Sequence, residues 1–289
     1  MAANPSGSSN EIILVASTEN KEEFAMVWSG SSWGNAILLH GKADGDSHTD
    51  INVVYENGKL DPYDYDGLVV FASASSNLQY TLWRSGSWRR WASGVWTNGV
   101  GTITPPNGVS SCSIAFTDVT ADPASDNVLI GVTCGTYGWT VRWTSPGFDN
   151  KILHANDLVT TDCRALSVAY EGASKQALVV FSRENLKNVY HRRLDGPTGS
   201  ELTPSQYPGL PTDCEATSLG GCQGPQLDNV PNTVRLSTDL ATQDIALMVQ
   251  DDDNDIYFVR FDGRQFVSGI MSFLLLEVFK DCRFYMYLK

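Results

Sequence analysis

One apolar run recurs five times along this chain: IILVAS from Ile12, LVVFAS from Leu68, VLIGVT from Val128, LVVFSR from Leu178 and ALMVQD from Ala246. A bulky landmark follows each start after 15 or 16 residues, in turn Trp28, Trp83, Trp143, Leu194 and Phe261. After four of these a second aromatic comes five residues on (Trp33, Trp88, Phe148, Phe266), always with a glycine between; the Leu194 copy keeps Gly196 and Gly199 but lacks that aromatic. A third run precedes the first in four copies and ends on a carboxylate: Glu56, Asp118, Glu171 and Asp239.

A chain that repeats one pattern folds as copies of one unit, each hiding its apolar face on the next. The runs are short, rich in β-branched and aromatic residues and bounded by Gly, Asn, Asp and Ser, which predicts strands. Segments such as W-S-G-S-S-W predict hairpins whose flanking aromatics pair on one face and are mostly buried. Each unit then has an acid-ending strand A, the recurrent run as strand B, strand C ending at the landmark, and a less regular strand D. Starts of strand B are 56, 60, 50 and 68 residues apart. Four strands in that period predict an all-β chain, a β-propeller of about five four-stranded blades or a fragment of a larger propeller. A solenoid would repeat faster, and a sandwich would not be expected to repeat its sequence.

The reading divides the chain into a disordered polar segment at 1–10, blades over 11–272 and an atypical tail at 273–289. The first unit lacks strand A, and the fifth has little after Phe266 that resembles strand D. The tail run FLLLEVF at 273–279 is either the strand that completes the first blade or a misread end of the reading frame.

The net charge of −13 excludes nucleic acid as a main partner and disfavours anionic membranes, since both need a basic face. No run of 18 apolar residues exists, so no membrane insertion is expected. No basic segment followed by an apolar one opens the chain, so localisation stays open, with an extracellular site reached only without a recognisable signal peptide. Of six cysteines, Cys214 and Cys222 bracket a Gly-rich loop and either close a local disulfide or remain buried thiols.

Candidate chemistry is sparse. Gly30-Ser31-Ser32-Trp33-Gly34 matches the G-x-S-x-G of hydrolases, but that motif needs a strand-to-helix turn and here it is the repeat's own hairpin. The acidic clusters Asp61–Asp66 and Asp251–Asp255 lack full calcium-loop spacing and read as solvated turns. No catalytic residue, metal ligand or cofactor is assigned, and a glycan-acting hydrolase ranks third among functions. The recurrent feature is basic: Arg142, Arg193 and Arg260 each stand immediately before the strand C landmark, where the first two units have Val27 and Leu82. Alternation along a strand puts the three on one equivalent face. They serve either as structural partners of the acid ending strand A or as a set of equivalent ligand sites.

This pattern of strand B, a short turn, an aromatic strand C with Arg and then D-G or S-G before another aromatic resembles the blades of sugar-binding propeller lectins, of the fucose-binding and tectonin-like kinds. The resemblance implies a non-enzymatic module with carbohydrate sites between blades, each using an Arg, an acid and a Trp. By it Arg142, Arg193 and Arg260 take the Arg role, while the matching acid on the following strand is not evident. The alternative is a scaffold that binds protein ligands through its loops.

Overall fold

The computed structural model describes residues 1–18, 22–40, 51–58, 66–72, 76–144, 147–159, 164–172, 174–196, 198–202, 214–215, 221–239, 242, 244–263 and 265–273. Their regular structure is all β, in five antiparallel sheets that follow one another along the chain. The first holds β1 (Ala2–Ala3), β2 (Ile12–Ser17), β3 (Glu23–Trp28) and β4 (Trp33–His40). The second holds β5 (Ile51–Tyr55), β6 (Gly67–Phe71), β7 (Leu78–Arg84), β8 (Ser87–Ala92), β9 (Val95–Asn98) and β10 (Gly101–Ile103). The third is β11 (Ile114–Ala121), β12 (Val128–Cys134), β13 (Tyr137–Thr144) and β14 (Gly147–Ala155). The fourth is β15 (Leu166–Tyr170), β16 (Gln176–Ser182), β17 (Asn188–Asp195), β18 (Cys214–Glu215) and β19 (Gly221–Gln226). The fifth is β20 (Pro231–Thr238), β21 (Ile245–Asp251), β22 (Ile256–Phe261) and β23 (Phe266–Phe273).

The five recurrent runs form β2, β6, β12, β16 and β21, the second strand of each sheet. First strands of successive sheets lie side by side: β1 and β2 by β5, β5 by β11, β11 by β15, and β15 by β20. Between successive sheets lie four apolar layers. Ile13 and Val27 pack with Val69 and Trp83, Leu68 and Leu82 with Val141 and Trp143, Leu129 with Val168 and Leu194, and Leu178 and Val180 with Leu247 and Phe261. Sheets stacked face to face with converging first strands are the blades of a β-propeller. Middle strands such as β6 and β12 are buried along their whole length. Their sequences therefore run apolar without alternating, because each face meets a neighbouring blade.

Side chains at one equivalent position stitch the inner strands together. Asn52, Asp118, Ser167 and Arg235 each stand three residues before the end of the ladder to strand B, opposite Val70, Gly131, Val180 and Met248. Asn52 donates to the Thr117 carbonyl at 2.7 Å. Asp118 accepts from Ser167 Oγ at 2.6 Å, Val168 N at 3.1 Å and Arg164 Nη1 at 2.9 Å. Ser167 Oγ accepts from Leu236 N at 3.1 Å. Gly131 lets the third blade meet the fourth closely, since a Cβ there would lie 2.5 Å from Leu166 Cδ2.

Several expectations are corrected. The first unit does have a strand A: β1, in the polar segment 1–10, pairs Ala2 with Ile13 and Ala3 with Ile12. The fifth unit does have a strand D, β23, which takes in Phe273; residues 274–289 lie outside the described residues. In the third unit the turn acid is Asp122, not Asp118. The backbone N–H groups of Asn4, Glu56, Asp122, Glu171 and Asp239 donate to the carbonyls of Glu11, Asp66, Asn127, Gln176 and Asp244, each just before or at the start of strand B, closing five equivalent A–B hairpins. Asp118 lies four residues earlier because β11 continues to Ala121.

The aromatic pairs face each other across C–D hairpins, with ring centroids 5.6 Å apart for Trp28 and Trp33, 5.1 Å for Trp83 and Trp88, 4.9 Å for Trp143 and Phe148 and 5.2 Å for Phe261 and Phe266. Burial is less uniform than expected: Trp143 and Phe261 are fully buried, whereas Trp33 is 45% exposed. An additional copy of the hairpin, missed in the sequence, joins β8 to β9 and pairs Trp91 with Trp96 at 5.1 Å. Its turn Ser93-Gly94 has φ of 51° and 83°, like Ser85-Gly86 at 49° and 76°, the positive pair that matches the twist of a two-residue hairpin. This hairpin interrupts strand D, because β7 pairs first with β8 and then with β10.

The backbone places Cys214 opposite Cys222 in the β18–β19 ladder. The disulfide among the described residues is one that sequence spacing did not suggest, Cys112–Cys134, with Cα atoms 5.5 Å apart. It pins the segment before β11 to the end of β12. Replacing Cys112 with Ser should lower unfolding free energy by about 2–4 kcal/mol, read as a lower urea midpoint; an unchanged midpoint would mean that the crosslink adds nothing.

Candidate functional site

The blade frame decides where each strand C side chain points. Landmarks Trp83, Trp143, Leu194 and Phe261 pack against the preceding blade, so the residue before each faces the following one. That slot holds Val27 opposite Ile13, Leu82 opposite Leu68, Arg142 opposite Leu129, Arg193 opposite Leu178 and Arg260 opposite Ala246. The three arginines therefore occupy equivalent forward-facing positions, as alternation predicted.

Arg142 is gripped at both ends of its fork. Its Nε and Nη2 donate to Asp149 Oδ1 and Oδ2 at 2.9 and 2.8 Å, and Nη1 donates to the Gly196 carbonyl of the next blade at 3.0 Å. Asp149 lies directly opposite on β14, so the acid on the following strand, not evident in the sequence, is present. The hydrogen bond to Asp149, outweighing the loss of solvent, raises the guanidinium's pKa further. Asn150 Nδ2 donates to the Thr198 carbonyl. At Gly199, with φ +65°, an added Cβ would come within 3.0 Å of Arg142 Nε. Tyr170, raised by burial, completes the buried side of this site.

Arg193 meets the acid foreseen for it. Its Nη2 lies 3.3 Å from Glu171 Oε1 and also bonds Gln176 Oε1, and its guanidinium stands 5.6 Å from the Phe261 ring centroid of the fifth blade. Burial raises the Glu171 carboxyl against the pull of Ser174 and Arg193. Arg260 pairs with Asp244 at 2.9 Å rather than with Asp239, and its side chain is 63% exposed. All three arginines are thus ion-paired, each to an acid in a different place: strand D, the end of strand A and the start of strand B.

The second interface is filled differently. With Leu82 in the slot, Tyr80, Trp96, Trp143 and Phe148 close the space, Tyr80 to Phe148 at 4.6 Å and Trp96 to Trp143 at 6.3 Å. Arg84 pairs with buried Asp66 at 2.5 Å and lies over Trp96 at 4.7 Å. Trp143 Nε1 donates to Glu56. Burial chiefly, with Asp126 nearby, pushes the Glu56 carboxyl up to about 8 against that bond and Arg84.

Sequence reasoning also missed the polar groups beside Arg142: Arg192 with Glu201 at 2.6 Å and Thr140 with buried His154 at 2.8 Å. Arg192 carried a signal, being next to Arg193, but alternation hid it on the opposite face. In the acidic cluster, Asp251 accepts from the backbones of Asp253 and Asp255 and from Tyr257 Oη, each at 3.0 Å, which makes it a turn. Asp61 to Tyr65 lie outside the described residues. Among the described residues no group of three His, Cys, Asp or Glu is arranged to hold a metal ion, and no helix is long and apolar enough to cross a membrane.

The sequence matches no known family model, and no curated protein matches it. Among solved structures, the BP39L lectin of Burkholderia pseudomallei aligns over 94% of this chain and 69% of its own, at 12% identity and a TM-score of 0.61. The chain shares that lectin's fold. The fucose-recognising lectin of Aleuria aurantia, described as a six-bladed β-propeller, aligns at 14% identity and a TM-score of 0.43, over 90% of this chain and 73% of its own. SapL1 lectin, solved with α-methyl fucoside, gives 14% and 0.46 over 91% and 74%. At these identities the likeness is one of fold.

Two outcomes are expected. Arg193→Ala should cost about 3–5 kcal/mol because it leaves buried Glu171 unpaired; a loss under about 1 kcal/mol in chemical denaturation would mean that the pair is solvated. Glu56, raised above its ordinary 4.5, holds in the folded state a proton that the unfolded chain releases. That contribution is complete below about pH 4.5, fades as pH rises and is gone above about pH 8. Glu56→Gln should therefore match the parent near pH 4 and be the more stable at pH 9, whereas parallel stability curves would sink the assignment.

Proposed function

We propose that this chain is a non-enzymatic carbohydrate-binding module whose sites lie between blades at Arg142, Arg193 and Arg260. The observation that carries the reading is the shared slot: three arginines at one register position, each on the forward face of its blade beside a carboxylate. A planar fork next to a carboxylate presents donors and acceptors at the spacing of neighbouring sugar hydroxyls. At Arg193 the ring of Phe261 adds an apolar wall, the combination of Arg, acid and aromatic that the lectin resemblance implies.

The ion pairs hold the two buried guanidiniums in place, and Gly196 caps Arg142. A sugar entering there exchanges one set of hydrogen bonds for another, while Arg260 is already open. Fold likeness to BP39L supports a binding module, and the fucosides bound by SapL1 and the Aleuria lectin name the first probe. The Cys112–Cys134 bond supports residence in an oxidising compartment, in keeping with an extracellular lectin.

Arg260 is the clean position to test, because its exposed pair contributes only about 0–1 kcal/mol to stability. Calorimetric titration with methyl α-L-fucoside should give saturable binding that loses one site in Arg260→Ala with little change in melting temperature. A blank glycan array from folded protein would end the carbohydrate reading and favour a protein-binding scaffold.

A further inference from the structure

The third interface buries a histidine that the repeat does not require. In the ladder of β13 with β14, Gly138 pairs with Ala155 and Trp139 already with Leu153, so His154 is the extra residue of a bulge. A bulge re-aims a side chain, and His154 Nε2 meets Thr140 Oγ1 at 2.8 Å. Thr140 stands opposite Gly131, whose added Cβ would strike Leu166 and Val168 of the fourth blade. The imidazole therefore lies between the third and fourth blades, fully buried, with its ring centroid 6.1 Å from that of Phe181.

This place is built for a neutral ring. Nδ1 is buried and has no hydrogen-bond partner among the described residues. Four carboxylates along the interface are each paired to an arginine: Asp118 to Arg164, Asp149 to Arg142, Asp157 to Arg183 and Glu201 to Arg192. Asp122 and Asp195 lie by Tyr170 at the rim, while Leu129, Val179 and Phe181 bring only apolar surface. Arg192, opposite Val179 on the backward face of the fourth blade, is itself buried. Burial first, and then the positive charge of Arg192, hold the imidazole well below its ordinary 6.5. His191 faces the other way, onto Phe261 and Phe266 of the fifth blade.

We infer that His154 is an acid switch for the third interface: a proton taken up there sets a second cation beside Arg192 in a buried layer and drives the third and fourth blades apart. Opening withdraws the Gly196 and Thr198 carbonyls of the fourth blade from Arg142 and Asn150, so the slot of this interface becomes acid-gated. The second interface responds in the opposite sense, because Glu56 already holds its proton below about pH 8. The switch goes beyond the carbohydrate reading and does not depend on what binds at Arg142.

The sign follows from proton linkage. Below about pH 6.5 the open state binds a proton that the closed state does not, and the opening constant rises about tenfold per pH unit. Opening is read in the full chain as the labelling rate of a buried cysteine relative to a free thiol at the same pH, resolved by mass spectrometry. Ala177→Cys reports on the third layer and Ala72→Cys on the second, since both positions are buried there. Between about pH 6.5 and pH 5 the relative rate at position 177 should rise roughly thirtyfold, and that at position 72 by less than about threefold. His154→Gln, which keeps a polar group near Thr140 but takes up no proton, should flatten the profile at position 177. A flat profile at 177 in the chain that keeps His154 overturns the inference, even if His154→Gln fails to fold. So does a slope that survives in His154→Gln, or an equal slope at position 72, which is global acid unfolding.

Discussion

From the second blade to the fifth, each inner strand is tied to the next by a side chain at one repeated position, and the radial order of these blades rests on that seam. Asn52 reaches Thr117, Asp118 reaches Arg164, Ser167 and Val168, and Ser167 accepts from Leu236. The inner strands lie side by side without a backbone ladder between them, so these bonds set their spacing where the apolar layers, being non-directional, cannot. A small residue at the tightest point, Gly131, allows the approach. Once the seam fixes one blade on the next, the apolar layers behind it follow.

The frame is uniform but its interfaces are not. The first is apolar, with Trp88 Nε1 donating to the Asn35 carbonyl at 2.6 Å. An inserted hairpin fills the second with aromatics, the third is polar around Arg142, Arg192 and His154, and the fourth sets Arg193 against Phe261. The residue in the slot decides whether an interface is lined there by an apolar side chain or carries a fork of donors. Insertions into strand D add a second level of variation: β8 and β9 supply Trp91 and Trp96, and Glu201, bridged to Leu194, supplies the partner of Arg192.

Much of the architecture was legible because period and alternation are properties of the chain itself. The interval from strand B to the landmark is set by strand rise and hairpin geometry, so five copies at 15 or 16 residues announce five equivalent meanders. The same argument aligned Arg142, Arg193 and Arg260. It failed at short or irregular elements: β1 is two residues long and carries no pattern, and β11 runs four residues past Asp118, which moved the turn acid to Asp122. It also passed over the Trp91 and Trp96 hairpin, which repeats the motif out of phase.

The sequence by itself determined the strand set, the meander order and the forward-facing slot, because each depends on near neighbours along the chain. Tertiary structure decided the partners. Asp149 rather than Asp118 grips Arg142, Asp244 rather than Asp239 pairs with Arg260, and Cys134 is joined to Cys112, a pairing the spacing alone did not suggest. Such choices depend on which blade faces meet and how far each loop carries a carboxylate or thiol. Distances of a few ångströms across an interface are set by packing between units and leave no period in the chain to read.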